Sequence, residues 1–379
     1  MRHPRFELVE RAILRACDRA PETMGDVQIN HILTKPHYRR VMGRHAGWVM
    51  CCQAFDGDSR VVSGSYDGTL RVWDPSNGVT MRIFNLGKEA GGSVHCCSIC
   101  DDGANKRLAA GTGGEEGTVR LWNLNTGEEV GMLSGHADRV NCCSAYQEGK
   151  EGEGVSRLLT GSDDRMLRVW DLSGGGSGKQ MHILSGHSSE VLCCKAFEEG
   201  SRAISGSADK TLKIWDLYNG VEIQTLRGHD DIVTCCDVSQ DGTLVVSGSW
   251  DHSIRLWEID GRAIGEGKKS MLPKASRILK GHNGVVLCCS LFRKDDTRLL
   301  SGDADGTMRV WNIRDDAEVH VIKMGNGGVH CCSIVNGGSR IIGGGEDGNL
   351  VVWDLPVVSG GESKMLQRSS TQDDETPCN

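Results

Sequence analysis

Cysteine is the residue whose placement in this chain most invites a chemical reading. Fourteen of the 17 cysteines stand in seven adjacent pairs, beginning at Cys51, Cys96, Cys142, Cys193, Cys235, Cys288 and Cys331. Cysteines in such number imply a disulfide framework in a secreted protein and metal binding elsewhere. The spacing argues against metal. Neighbours on an extended strand point to opposite faces, so an adjacent pair cannot chelate as Cys-x-x-Cys does. No glycine-rich loop opens a helix to cradle a phosphate; the glycines sit at strand turns. Serine, histidine and aspartate recur together, the ingredients of a catalytic triad. Five copies in series mean architecture rather than one active site. The expectation is a chain with no catalytic residue, no metal and no cofactor.

The elements that carry these residues repeat. Each cysteine pair is followed by a tryptophan: Trp73, Trp122, Trp170, Trp215, Trp257, Trp311 and Trp353. The offset from pair to tryptophan is 22 in four cases, then 23, 26 and 28. Tryptophans recur every 42 to 54 residues, a repeat period that overrides any domain count based on length. Val61–Asp74 reads VVSGSYDGTLRVWD. Its Asp-Gly between two apolar runs is a strong hairpin signal. Val49–Phe55 precedes it as a further strand, and stretches such as Met181–Leu184 follow as a fourth. No helical period occurs inside the unit.

These residues resemble the WD-repeat family of β-propellers. The matching pieces are Leu-x-Gly-His (ending at His136, His187, His229 and His282), Ser-Gly-Ser-x-Asp, and Trp-Asp at Trp73, Trp170, Trp215 and Trp353. The resemblance implies an all-β chain: seven radial blades of four strands over residues 37–358. It also implies a buried hydrogen-bonded tetrad in each regular blade. Those are His45, Ser63, Asp67 and Trp73 in blade one, and His136, Thr160, Asp164 and Trp170 in blade three. Blade four offers His187, Ser205, Asp209 and Trp215; blade five offers His229, Ser247, Asp251 and Trp257. Blade six offers His282, Ser301, Asp305 and Trp311. Burying such groups is tolerable only if each finds a partner. Blades two and seven depart, with Glu116 where Asp is expected and Gly343 where Ser is expected, and should be the softest sectors. Both faces of a blade are covered by its neighbours, so the paired cysteines read as small apolar packing residues. The basic residue two before most tryptophans (Arg71, Arg120, Arg168, Lys213, Arg255, Arg309) reads as a solvated or salt-bridged strand position.

The family pattern also points to a rim. Partner peptides are held by residues just before the first strand and just before the turn aspartate. The first set is Trp48, Ser93, Arg139, Glu190, Ile232, Val285 and Gly328. The second is Tyr66, Glu115, Asp163, Ala208, Trp250, Ala304 and Glu346. Trp48, Tyr66 and Trp250 are aromatic anchors of the kind interfaces use. Asp138, Arg139, Asp163 and Glu190 suit a charged segment.

Ring closure is expected from the N-terminal side. His37–Met42 precedes His45 as an outer strand precedes each Leu-x-Gly-His, so it should complete blade seven and hide its edge. Ser363–Gln367 is the rival. Residues 1–36 form an extension whose Phe6, Val9, Ile13, Ala16 and Cys17 recur at helical spacing, packing on the ring or docking a partner. Residues 359–379 read as a disordered polar tail.

Composition bounds the rest. The formal net charge is −8, which argues against a nucleic-acid coat. The longest mostly apolar stretch, Val285–Phe292, is interrupted by Ser290 and falls far short of a membrane span. No glycosylation sequon occurs, and the N-terminus lacks a signal-peptide core. The expectation is a soluble, cytoplasmic or nuclear chain: a monomeric propeller in a larger complex, binding protein segments without chemistry of its own. The alternative is a substrate receptor of a cullin–RING ubiquitin ligase. Leu299–Arg314 resembles the family's adaptor-docking box, with Arg314 as its last residue.

Overall fold

Tight turns decide the fold locally. After each turn aspartate the chain needs a left-handed residue, supplied by Gly68, Gly306 and Gly348, and elsewhere by Arg165, Lys210 and His252. Each repeat thereby becomes a meander of four antiparallel strands. The computed structural model describes residues 39–86, 92–101, 106–114, 117–148, 155–174, 178–197, 200–259, 277–293, 297–325 and 327–355. The helix expected within residues 1–36 and the C-terminal tail lie outside them. Among the described residues no helix is long and apolar enough to cross a membrane.

Seven four-stranded sheets result. Blade one runs from the inner strand Val49–Phe55 through Arg60–Ser65 and Thr69–Trp73 to the outer strand Thr80–Asn85. The other inner strands are Val94–Asp101, Val140–Glu148, Val191–Phe197, Val233–Val238, Val286–Leu291 and Val329–Val335. Arg39–Arg44 pairs antiparallel with Asn349–Asp354 and completes blade seven, so the ring closes from the N-terminal side.

That closing strand differs in detail from the motif. In blades three to six the Gly of Gly-His sits against the tryptophan ring: a Cβ on Gly135, Gly186, Gly228 or Gly281 would meet its far edge at 3.0–3.2 Å. In blade one Arg44 holds that position. A bulge between Val41 and Gly43 brings Gly43 over Trp73 instead, where a Cβ would fall 2.2 Å from the ring.

The core lies between blades. Each of seven buried clusters draws on two adjacent blades. The Gly of Ser-Gly-Ser is dictated by that seam. A Cβ on Gly206 would stand 2.6 Å from Cys193 Sγ and 2.7 Å from Val233 Cγ1 of the next blade. The same pair of atoms presses on Gly64, Gly111, Gly161, Gly248, Gly302 and Gly344. A belt of hydrogen bonds also crosses the seams near the axis. Ala54 N donates to Ser333 Oγ (3.2 Å), Ile99 N to Gln53 Oε1 (3.2 Å), Ala145 N to Ser98 Oγ (3.0 Å), Ala196 N to Ser144 Oγ (3.2 Å) and Leu291 N to Asp237 Oδ2 (2.9 Å). Lys195 stands at the belt position of blade four and cannot accept; Val238 N is bound by Asp237 Oδ1 of its own blade.

Candidate functional site

The tetrad residues come together beneath the loops that join each outer strand to the next inner strand. In blade four Trp215 Nε1 donates to Ser205 Oγ (2.8 Å). His187 Nε2 lies 2.7 Å from the same hydroxyl, and its Nδ1 lies 2.9 Å from Asp209 Oδ2. The same three bonds link His45, Ser63, Asp67 and Trp73; His136, Thr160, Asp164 and Trp170; and His229, Ser247, Asp251 and Trp257. Each turn aspartate also accepts backbone N–H bonds, as Asp209 does from Ser188 and Thr211. Burial pushes these carboxyls up, but the hydrogen bonds from His and from the turn outweigh it. Asp67, Asp209 and Asp251 end well below the usual carboxylate range.

Blade six corrects the sequence expectation. Asp305 is exposed and does not join the tetrad. His282 Nδ1 bonds Asp303 Oδ2 at 2.6 Å, while Ser301 Oγ takes both His282 Nε2 (2.7 Å) and Trp311 Nε1 (2.8 Å). Asp303 occupies the place of the second Ser in Ser-Gly-Ser. Its longer carboxylate reaches the histidine and also accepts from the amides of Asp305 (3.0 Å) and Thr307 (2.9 Å). Asp305 is left as a second carboxyl, pushed up by partial desolvation and by the charge of Asp303. In blade seven, where Gly343 replaces Ser, the space is taken by the sulfurs of Met308 and Met324. In blade two Trp122 packs on Phe84 with centroids 6.0 Å apart.

Above the tetrads lies the rim. One backbone bond joins its two residue sets in six of the blades, from the turn residue to the residue before the inner strand. It runs from Tyr66 N to Trp48 O, Asp163 to Arg139, Ala208 to Glu190, Trp250 to Ile232, Ala304 to Val285 and Glu346 to Gly328, at 2.9–3.2 Å. In blade two Gly113 N, not Glu115, makes it, to Ser93 O; Glu115 and Glu116 lie outside the described residues. Val285 and Ala304 are buried, whereas Trp48, Tyr66, Asp138, Arg139, Asp163, Glu190 and Trp250 are partly exposed.

Four rings stack in series across three blades. Trp48 lies flat on His330 (centroids 5.3 Å, 13°) and tilted on Tyr66 (5.8 Å), which meets His95 edge-on at 5.3 Å. His330 Nε2 sits 3.5 Å from Glu346 Oε1, and the imidazole holds that carboxyl below its usual range. Burial and the Arg139 guanidinium push His95 down to about 3; Ser93 Oγ lies 3.1 Å from its Nε2. Sequence reasoning missed both histidines. The signal was there: each stands immediately before a cysteine pair, at the start of an inner strand. Trp250 takes no part in this ladder.

Blades three and four carry a charged group. Asp163 Oδ1 accepts from Asn141 Nδ2 (2.6 Å), and its Oδ2 lies 3.9 Å from Arg139 Nη1. Burial raises Asp163, with Asp138 and Glu190 adding to it. On the opposite side, Arg314 is exposed, and its backbone amide donates to Asn312 Oδ1 at 2.9 Å. The basic residues before the tryptophans are mostly held by the outer strand, as Lys213 is by Glu222 (2.7 Å) and Arg120 by Glu129 (3.4 Å). Among the described residues no three His, Cys, Asp or Glu side chains converge as a metal site.

The family model described as "WD domain, G-beta repeat" matches residues 37–74, 82–123, 127–171, 178–216, 220–258, 273–312 and 318–354. Similar curated proteins include a guanine nucleotide-binding protein subunit beta of Zea mays, 29% identical over 38% of this chain and 36% of that protein. A nuclear distribution protein of Uncinocarpus reesii is 28% identical over 46% of this chain and 39% of its own. An uncharacterised WD repeat-containing protein of Schizosaccharomyces pombe is 39% identical over 27% and 26%. The chain thus spans little more than a third of the length of the first two relatives.

Proposed function

We propose that this chain, which belongs to the WD domain, G-beta repeat family, is an interaction scaffold whose top rim grips protein segments. Propellers of this family typically serve as protein-interaction scaffolds, so the finer question is which surface this one uses. The observation that carries the reading is the ring ladder His330–Trp48–Tyr66–His95 at the channel mouth. Rigid, half-exposed aromatics lose little side-chain entropy on binding and make strong anchors. Beside them Asp138, Arg139, Asp163 and Glu190 form a charged group suited to a charged segment. Trp250 offers a separate anchor in blade five.

A photo-crosslinking residue at position 66 or 250 tests this. Partners should be captured there and not from position 218, where Tyr218 is 76% exposed off the rim. Equal capture from all three sites would discard the rim as the binding surface. A second reading has one observation in its favour: Arg314 is exposed, as an adaptor-docking arginine must be. Purified ligase adaptor should then bind the chain and fail to bind Arg314→Ala. Binding that ignores the substitution removes that reading.

A further inference from the structure

The cysteine pairs of the sequence are re-paired by the ring. The second cysteine of every pair, at 52, 97, 143, 194, 236, 289 and 332, lines a cavity of about 570 Å³ along the ring axis. The first points the other way, into the seam with the next blade, over the Gly of Ser-Gly-Ser. Each seam core therefore holds one cysteine of each kind, from different blades. These are Cys51 with Cys97, Cys96 with Cys143, Cys142 with Cys194, Cys193 with Cys236, Cys235 with Cys289, Cys288 with Cys332, and Cys331 with Cys52. The two thiols of a seam thus pack in one cluster, one contributed from each side of the blade junction. Packing alone explains a small apolar residue at these positions. It does not use a thiol at all fourteen, half of them open to a cavity that a small molecule can enter. Cys52, Cys143, Cys236, Cys289 and Cys332 are only partly buried, against the sequence expectation of wholly covered packing residues.

We propose that this belt is a site of oxidative modification, where hydrogen peroxide entering the channel links channel-lining cysteines to the seam cysteine of the preceding blade. The channel thiolate attacks the peroxide O–O bond, giving a sulfenic acid and releasing water. The seam thiol then attacks the sulfenic sulfur; the S–S bond forms and a second water leaves. Two thiols lose two electrons and two protons, and one peroxide becomes two waters. The vicinal cysteine cannot resolve the sulfenic acid, because it faces the other side of the strand. The neighbouring Cys96 and burial push the Cys143 thiol up, so the step is slow at neutral pH and answers to sustained oxidant.

The test is hydrogen peroxide on the native full-length chain, then alkylation, digestion without reductant and mass spectrometry. Linked peptides should join Cys143 to Cys96, Cys52 to Cys331, and the other cross-seam partners, each two hydrogens lighter. In Cys96→Ala, dimedone should trap Cys143 as the sulfenic acid while other seams still link; if that variant does not fold, Cys331→Ala reports the same through Cys52. Vicinal links overturn the proposal, as do links between non-adjacent blades or sulfinic and sulfonic acids alone. So does the absence of oxidation at a peroxide concentration that oxidises the urea-unfolded chain.

Discussion

Exchanging the two candidate acids of blade six separates the geometry from the motif. Asp303 is 1% exposed and accepts three hydrogen bonds, from His282 Nδ1 and from the amides of Asp305 and Thr307. Asp303→Ala strands all three donors in a site water cannot refill. Breaking a buried charged pair costs about 3–5 kcal/mol. At about 2 °C per kcal/mol for a chain of this size, the melting midpoint should fall by roughly 6–10 °C. Asp303→Asn keeps one acceptor oxygen and should fall less. Asp305→Ala removes an exposed carboxyl whose neighbour repels it, and should stay within about 0.5 kcal/mol of the parent. Calorimetry of the three variants, with urea midpoints as a check, reads the difference. Equal losses for Asp303→Ala and Asp305→Ala, or a larger loss for Asp305→Ala, would refute the assignment.

Trp215→Ala should cost about 3–5 kcal/mol in urea denaturation, because it empties a buried site and breaks the bond to Ser205. Trp122→Ala in blade two, which has no such tetrad, should cost about 1 kcal/mol less. Gly206→Ala should cost about 1–3 kcal/mol by driving a methyl into Cys193 and Val233, and Cys193→Ala in the same chain should recover part of it. His95 sits near 3 in the folded protein and near 6.5 unfolded, so the unfolded chain binds the extra proton. Stability should therefore fall as pH drops from about 6.5 toward 3, and His95→Gln should flatten that slope in urea titrations. Deleting residues 1–44 should expose the Asn349–Asp354 edge and give aggregates by light scattering; a monodisperse product would count against closure from the N-terminal side.

Repetition made the fold legible. Paired cysteines and tryptophans recur seven times, and either of them fixes a strand's place in a blade. What escaped the sequence was local substitution by geometry. Gly43 does the work of a Gly-His glycine from one residue away, because a bulge shifts the register there. Asp303 replaces a turn aspartate two positions later, because its carboxylate is longer than the serine side chain it supplants. The rim's backbone pairing lies in the repeat and could be counted from it. The ladder could not, since it depends on His330, Trp48, Tyr66 and His95 meeting across three blades. Nor could the cross-seam thiol pairs, which need the twist of one blade against the next; alternation along the strand showed only that neighbours diverge.

The central claim, that the rim is the partner-binding surface, is met most directly by quantitative affinity purification and mass spectrometry. The parent chain would be compared with Trp48→Ala/Trp250→Ala and with Arg314→Ala, all three first shown to melt within a few degrees of one another. A set of partners held by the parent and by Arg314→Ala should be lost from the double variant. Retention of every partner by the double variant would contradict the account.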